Sequence, residues 1–238
     1  MRFEFKYILD PPQEQALRSV VSRFAAPDPS AAKRGGWYPV TSLYFDTPQL
    51  MDYYDKSGGY LMRKKLRVRI YEPSLCPETP EIWLEIKKKY DMAFEKDRVL
   101  ISHADWRHLQ TRQYTKLLSA ERSKRDTAVL NQFLWYLLQE GRRPAFFIRY
   151  KRWPYHDPNS DLRITFDSNL EAYTHSSLQE PQFPKRIKHG VIMEIKFSRD
   201  TLPGWLASIL RMYNLSRDSF SKYGVSVERL RSYNTLPR

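Results

Sequence analysis

From Arg63 to Arg69, the stretch Arg63-Lys64-Lys65-Leu66-Arg67-Val68-Arg69-Ile70-Tyr71 places a cation at every second position. Read at the two-residue period of a β-strand, Arg63, Lys65, Arg67 and Arg69 project to one face, and Leu66, Val68 and Ile70 to the other. Four cations in a row on one strand face repel each other, and like charges on a neighbouring strand add to the cost. A folded chain can keep such a face only where water, carboxylates or an anionic ligand covers it.

The pattern recurs. Glu4 and Lys6, with Arg2, alternate with Phe3, Phe5 and Tyr7. Trp83, Glu85, Lys87 and Lys89 alternate with Ile82, Leu84 and Ile86. Phe147, Arg149 and Lys151 alternate with Phe146, Ile148 and Tyr150, and Arg163, Thr165 and Asp167 with Leu162, Ile164 and Phe166. Glu194 and Lys196 alternate with Met193, Ile195 and Phe197, and Lys96 and Arg98 add two cations to one face of a further strand. An ordinary solvated sheet face mixes Glu, Thr, Ser and Lys, whereas these faces favour one sign. If the apolar faces pack under helices, the charged faces converge inward, and a closed sheet then encloses a polar tunnel lined by roughly a dozen cations and a few carboxylates. A linear polyanion suits such a lumen, because Arg offers phosphate oxygens a planar fork and Lys a mobile point charge.

Eight strand-like segments support this reading: Phe3–Leu9, Tyr38–Asp46, Leu61–Tyr71, Ile82–Lys89, Asp97–Ser102, Ala145–Trp153, Leu162–Asp167 and Val191–Phe197. Pro-, Gly- and Ser-rich loops over Ala26–Gly36, Glu72–Pro80, Pro154–Asp161 and Tyr173–Gly190 punctuate them. Asp10-Pro11-Pro12-Gln13 reads as a helix start. Thr47-Pro48 opens a short helix through Tyr54, and Trp106–Leu118, Ala128–Leu138 and Leu202–Tyr213 carry apolar residues at helical spacing. The expected fold is α+β: an eight-stranded antiparallel closed β-barrel, or tunnel, with helices packed outside and at one end. A single domain over residues 1–238 is expected.

Forty Lys and Arg against 27 Asp and Glu give a net charge of +13, which calls for an acidic partner. The aromatic residues sit mainly opposite the cations, whereas a single-strand binder interleaves stacking rings with them. No specific nucleic-acid partner is therefore expected. The single Cys76 excludes a disulfide framework and a multi-cysteine zinc site. No GxxxxGK[ST] loop is present, which excludes a P-loop nucleotidase. His103, His108, His156, His175 and His189 are scattered without metal-ligand spacing. The chain reads as cytoplasmic, with no apolar run long enough to span a bilayer. Glu194, the one acidic residue of an otherwise apolar and basic strand, is either a counter-charge or a ligand for an oxygen-preferring cation, and Glu4, Glu85 and Asp167 can play either role.

The order of the pieces resembles a known family. Arg2-x-Glu4-x-Lys6-Tyr7 is followed by Ser42-Leu43-Tyr44-Phe45-Asp46-Thr47-Pro48, Tyr54-x-Lys56, Arg63-x-Lys65-x-Arg67-x-Arg69-x-Tyr71 and Glu85-Ile86-Lys87-Lys88-Lys89. Arg149-Tyr150, Glu194-Ile195-Lys196-Phe197 and Ser221-Lys222-Tyr223 complete the set. This ordered series is similar to the VTC (vacuolar transporter chaperone) domain of the CYTH-like triphosphate tunnel metalloenzymes. The resemblance implies transfer of the γ-phosphate of ATP to inorganic polyphosphate with Mn²⁺ or Mg²⁺. Hydrolysis of triphosphate or nucleoside triphosphate, or polyphosphate binding without catalysis, are the alternatives. It implies phosphate binding by Lys6, Arg67, Arg69, Lys87, Arg149 and Lys222, with Lys96 or Arg98 filling a further position. Lys65 and Lys196 join the phosphate-binding set from their place on the charged faces. Arg67, Arg69, Lys87, Arg149 and Glu194 are the expected catalytic set, with Glu194 holding the metal. Where the wider superfamily begins Glu-x-Glu-x-Lys, this chain has Arg2, which weakens a two-glutamate metal site on that strand. Regulation by the phosphate-sensing domain of larger relatives and translocation through their membrane helices are not expected of this chain, and a separate membrane-protein partner is compatible with it.

Overall fold

A computed structural model describes residues 3–91, 93–174, 177–182, 185–187, 190–198 and 202–234. Arg2, His175 and His189, singled out above, lie outside the described residues. In chain order the elements are β1 (Phe3–Leu9), α1 (Pro11–Val21), β2 (Ala26–Pro27), α2 (Pro29–Ala32), β3 (Tyr38–Asp46), α3 (Met51–Ser57), β4 (Met62–Ile70), β5 (Ile82–Tyr90) and β6 (Ala93–Ile101). Then follow α4 (His103–Gln110), α5 (Tyr114–Ser119), α6 (Lys124–Gln139), β7 (Arg143–His156), β8 (Arg163–Thr174), β9 (Lys185–Arg186), β10 (Val191–Phe197), α7 (Gly204–Met212) and α8 (Lys222–Asn234).

Eight strands form one antiparallel sheet in the order β1-β10-β8-β7-β3-β4-β5-β6, with β2 and β9 as short additions to β7 and β8. This is the antiparallel sheet of the expected tunnel; among the described residues no backbone ladder pairs its two end strands, β1 and β6. Side chains bridge this seam instead, Lys87 on β5 reaching Glu4 on β1 at 3.2 Å.

The alternation read from sequence sorts the two faces. Leu66, Val68 and Ile70 of β4, Ile82, Leu84 and Ile86 of β5, and Val99 and Ile101 of β6 are buried under α4, α5 and α6, against Trp106, Leu117, Phe133 and Leu137. On the other half of the sheet, Tyr7, Ile164, Phe166, Met193 and Ile195 pack under Leu17 and Val21 of α1 and Leu206 and Ile209 of α7. Burying these apolar faces outward, each large side chain worth about 1.5–3 kcal/mol, turns the charged faces inward. Helix α1 starts where expected, with Asp10 capping Gln13 and Gln13 returning the bond.

Two departures matter for the site. The segment read as one helix over Trp106–Leu118 is two, because the chain turns at Arg112 with φ +58°. Helix α8 was not anticipated. It lies against the inner side of β3, β7 and β8, where Tyr223, Val227 and Leu230 pack on Val40, Tyr44, Phe146, Ile148 and Leu170. Its signals are Ser221, whose hydroxyl accepts the Gly224 amide at 3.2 Å, and the i, i+4, i+7 spacing of those three apolar residues. The Tyr223 hydroxyl donates to Asp46, whose other oxygen accepts the amides of Thr47 and Asp52. One carboxylate thus fixes the end of β3, the start of α3 and the first turn of α8.

Candidate functional site

The inner faces enclose a cavity of about 460 Å³. Twelve Lys and Arg side chains line it, against the carboxylates of Glu4, Glu194 and Asp218. Of the residues singled out from sequence, Lys6, Lys65, Arg67, Arg69, Lys87, Glu194, Lys196 and Lys222 are brought together here.

Strand β4 supplies the central row. The Arg67 guanidinium donates to Glu85 Oε2 at 2.7 Å through Nε and to the Tyr44 hydroxyl at 2.9 Å. Arg69 donates from Nε to the Ser42 hydroxyl at 3.0 Å and lies 3.7 Å from Glu85. Glu85 is fully buried, and Lys96 reaches its other oxygen at 3.1 Å. Burial pushes the Glu85 carboxyl up, but Arg67, Arg69 and Lys96 outweigh it and hold it well below the usual range. Glu85 therefore acts as an internal counter-charge that fixes two arginines with their remaining donors free to turn to the cavity.

A second cluster forms where β8, β10, β7 and α8 meet. Arg152 makes a bidentate pair with the buried Asp167, both distances 2.7 Å. The Lys222 ammonium lies 2.6 Å from both Asp167 Oδ2 and Glu194 Oε1. Arg152 and Lys196 each stand 3.5 Å from Glu194 Oε2. Burial raises the Glu194 carboxyl, but Lys222, Lys196, Lys6 and Arg152 hold it well below its ordinary value. Glu4 shares Lys196 and is bound by Lys6 at 3.2 Å.

Three expected residues lie elsewhere. Arg149 faces outward, where Glu171, Glu180 and the Pro73 carbonyl take its guanidinium. The inner face of β7 is the apolar one, Phe146, Ile148 and Tyr150, because α8 covers it; two residues on, Arg152 occupies the inward position. The ladder between β7 and β8 also slips by one residue there, next to Asn169 at φ +52°. Lys96 touches the site only through Glu85, and Arg98 lies over the Trp83 ring at 4.2 Å, outside the cavity lining. Arg152 was missed because Arg149-Tyr150-Lys151-Arg152 offers a basic residue to either face.

No group of three or more His, Cys, Asp or Glu side chains that could hold a metal exists among the described residues. What does exist is convergence: one oxygen from Glu194 and one from Asp167 point at a single position, now held by Lys222. Mg²⁺ typically takes one or two protein carboxylates and fills the remaining positions with water and substrate phosphate oxygens. The donor set therefore fits a divalent ion carried in with a phosphate ligand, and does not fit an all-protein cage.

The cation excess has a measurable effect. Burial lowers Lys87 to about 7, Glu4 offsetting only part of the loss, and lowers Lys65 to about 8. A polyanion entering the cavity favours both charged forms. Triphosphate binding at pH 8 is therefore expected to take up about one proton, and affinity to fall as pH rises from 7 to 9. Titration calorimetry in two buffers of different ionisation enthalpy measures the uptake. Lys87→Arg, whose charge persists at every pH in this range, flattens the dependence. Zero uptake, or affinity that rises with pH, contradicts the assignment.

The comparisons with known proteins agree with this architecture. A candidate adenylate cyclase from Bacillus halodurans superposes with a TM-score of 0.55 at 12% identity, covering 93% of this chain and 94% of that one. HpAC1 from Hippeastrum, a candidate adenylyl cyclase described by a dominant triphosphatase activity, superposes with a TM-score of 0.54 at 18% identity, covering 100% and 98%. At such identities the likeness establishes the tunnel fold alone. No curated protein matches the sequence. The sequence itself matches the VTC domain over residues 1–231, nearly the whole chain and every inward-facing cation described above, so this protein belongs to the VTC domain family.

Proposed function

We propose that the protein, as one domain over residues 1–238, is a metal-dependent polyphosphate polymerase that transfers the γ-phosphate of ATP to inorganic polyphosphate. The observation that carries this reading is the lumen itself: a strand-long row of cations, Lys65, Arg67 and Arg69, faced by Lys87, Arg152 and Lys222 in one cavity. The lining suits an elongated, multiply charged, flexible anion. Bound Mn²⁺ or Mg²⁺, held by Glu194 with Asp167 beside it, would supply charge neutralisation between phosphate oxygens.

The chain's own groups do the rest. A terminal phosphate oxygen of the polymer attacks the γ-phosphorus, the bond to the β-bridging oxygen breaks, and ADP leaves. Arg67, Arg69 and Arg152 disperse the charge on the transferring group, and Lys87 and Lys222 hold its neighbours in line. Positioning and electrostatics provide most of the catalysis in phosphoryl transfer, so a protein nucleophile is not needed. The attacking phosphate is already ionised, so neither is a strong general base. In keeping with this, no His or Cys is among the described residues lining the cavity.

Hydrolysis is the second reading, with water replacing the polymer in the same lumen, and the triphosphatase activity ascribed to the Hippeastrum protein favours it. A time course with ATP and Mn²⁺ separates the two. Long acid-insoluble polymer with stoichiometric ADP is the expected result; orthophosphate in equal amount with no polymer makes the protein a hydrolase. No helix among the described residues is long and apolar enough to cross a membrane. A cytoplasmic site of action, with any translocation left to a separate membrane protein, belongs to this proposal.

A further inference from the structure

The cavity's cations are not equally compensated. At the centre most have a carboxylate within reach: Arg67 and Arg69 share Glu85, Arg152 has Asp167, Lys222 has Glu194 and Lys87 has Glu4, while Lys65 donates to the Ser221 hydroxyl instead. Toward one mouth this ceases. Arg63 and Lys89 face each other across the β4–β5 ladder, and Lys56 of α3 belongs to the same lining, near Lys65. Among the described residues, no carboxylate lies within 4 Å of their nitrogens, while Lys64, next along β4, is taken by Glu140 at 2.9 Å. Burial and the adjacent Arg63 lower Lys89, and Asp91 and Glu4, both beyond ion-pair distance, offset only part of this. The Phe94 ring beside Lys89 forms part of the same wall.

Arg63 and its ladder partner Lys89 are also displaced from the reaction centre. Arg63 precedes Arg67 by four residues of extended chain, about 13–14 Å of backbone. A triphosphate centred on Arg67, Arg152 and Lys222 does not extend to Arg63 and Lys89. A longer chain leaving the centre along β4 does.

We propose that Lys56, Arg63 and Lys89 form a second polyanion subsite, which holds the part of a linear polyphosphate that protrudes from the centre and keeps the chain bound between phosphate additions. The inference rests on the polyphosphate reading above and adds to it a determinant of chain length. A cluster of uncompensated cations is already strained by self-repulsion, so occupancy by phosphates both gains attraction and relieves that strain.

The test uses the full chain carrying Lys56→Gln, Arg63→Gln and Lys89→Gln together. Removing three like charges relieves repulsion, so the variant is expected to melt at or above the wild-type temperature. Its affinity for a long inorganic polyphosphate falls by roughly tenfold, about 1.4 kcal/mol. The slope of log affinity against log salt becomes shallower by about 2, as expected when three contacts to a single-stranded polyanion are lost. Its affinity for inorganic triphosphate stays within about threefold of wild type, and its polymer product, where polymer forms, is shorter. The charge-retaining variant Lys56→Arg, Arg63→Lys, Lys89→Arg keeps the wild-type affinity for the long chain. Unchanged long-chain affinity, or an equal loss for triphosphate and long chain, overturns the subsite. Wild-type protein that binds neither ligand sinks the polyphosphate reading itself, a different outcome from either.

Discussion

Replacing Arg152 by alanine is expected to lower turnover of ATP, or of triphosphate, at least a hundredfold, while Arg149→Ala leaves it within about threefold. Loss of one preorganised donor to developing charge costs on the order of 10²–10³ in rate. Arg152 stands in the lining with Asp167 accepting from its Nε and Nη2 and Glu194 3.5 Å away. Arg149 is engaged on the outer surface by Glu171 and Glu180. Removing Arg152 also leaves the fully buried Asp167 with Lys222 as its remaining partner, so the variant is destabilised as well. Arg152→Lys separates the two effects: it keeps the charge beside Asp167 but loses the two-pronged geometry. The expected pattern is recovered melting temperature with turnover still well below wild type. Equal losses for Arg149→Ala and Arg152→Ala, measured as kcat/KM, would contradict the inward placement of β7.

Glu194→Gln is the second large effect, and its sign depends on the metal. The glutamate carries a negative charge amid Lys222, Lys196, Lys6 and Arg152. Without divalent cation that charge repels an incoming phosphate, so the amide variant is expected to bind triphosphate more tightly in EDTA, by roughly tenfold. With Mn²⁺ or Mg²⁺ present the order reverses: turnover falls at least a hundredfold, because the carboxylate that would hold the ion is gone. Calorimetry in EDTA and initial rates across a metal titration read the two halves independently. Unchanged turnover in Glu194→Gln places the metal elsewhere; a wild-type protein that binds triphosphate but shows no turnover at any metal concentration is a binder without catalysis.

Much of this site can be read from the chain because a barrel strand converts a period of two into two chemically distinct surfaces. The bounds of β1, β3 and β10 follow from it, as do the inward rows Lys65-Arg67-Arg69, Glu85-Lys87 and Glu194-Lys196. What alternation does not encode is which surface turns inward. On most strands the apolar surface is the outer one, under α1, α4–α7. On β7 the apolar row Phe146-Ile148-Tyr150 is the inner one because α8 lies inside the curl of the sheet and needs an apolar floor. The polarity of one strand was therefore decided by a helix from the far end of the sequence, itself hidden by a mixed, charge-rich surface. The rephasing at Asn169 had no separate sequence signal, and it is why the first half of β8 turns Asp167 inward while Glu171 faces out to Arg149.

Lys222 illustrates the same point in reverse. Its motif was visible, but its reach was not, since a lysine at the start of an unforeseen helix has no strand register to fix it. The structure sets it between two carboxylates by anchoring Tyr223 to Asp46.

The central claim is that these inward cations surround one elongated phosphate ligand. A crystal structure of the protein grown with inorganic triphosphate and Mn²⁺ tests it most directly. The expected result is a triphosphate within the cavity, its oxygens within hydrogen-bond distance of Arg67, Arg69, Lys87, Arg152 and Lys222, with the Mn²⁺ between Glu194 and the phosphates. Triphosphate bound only on the outer face of the sheet, or a lumen that stays empty at saturating ligand, would contradict it.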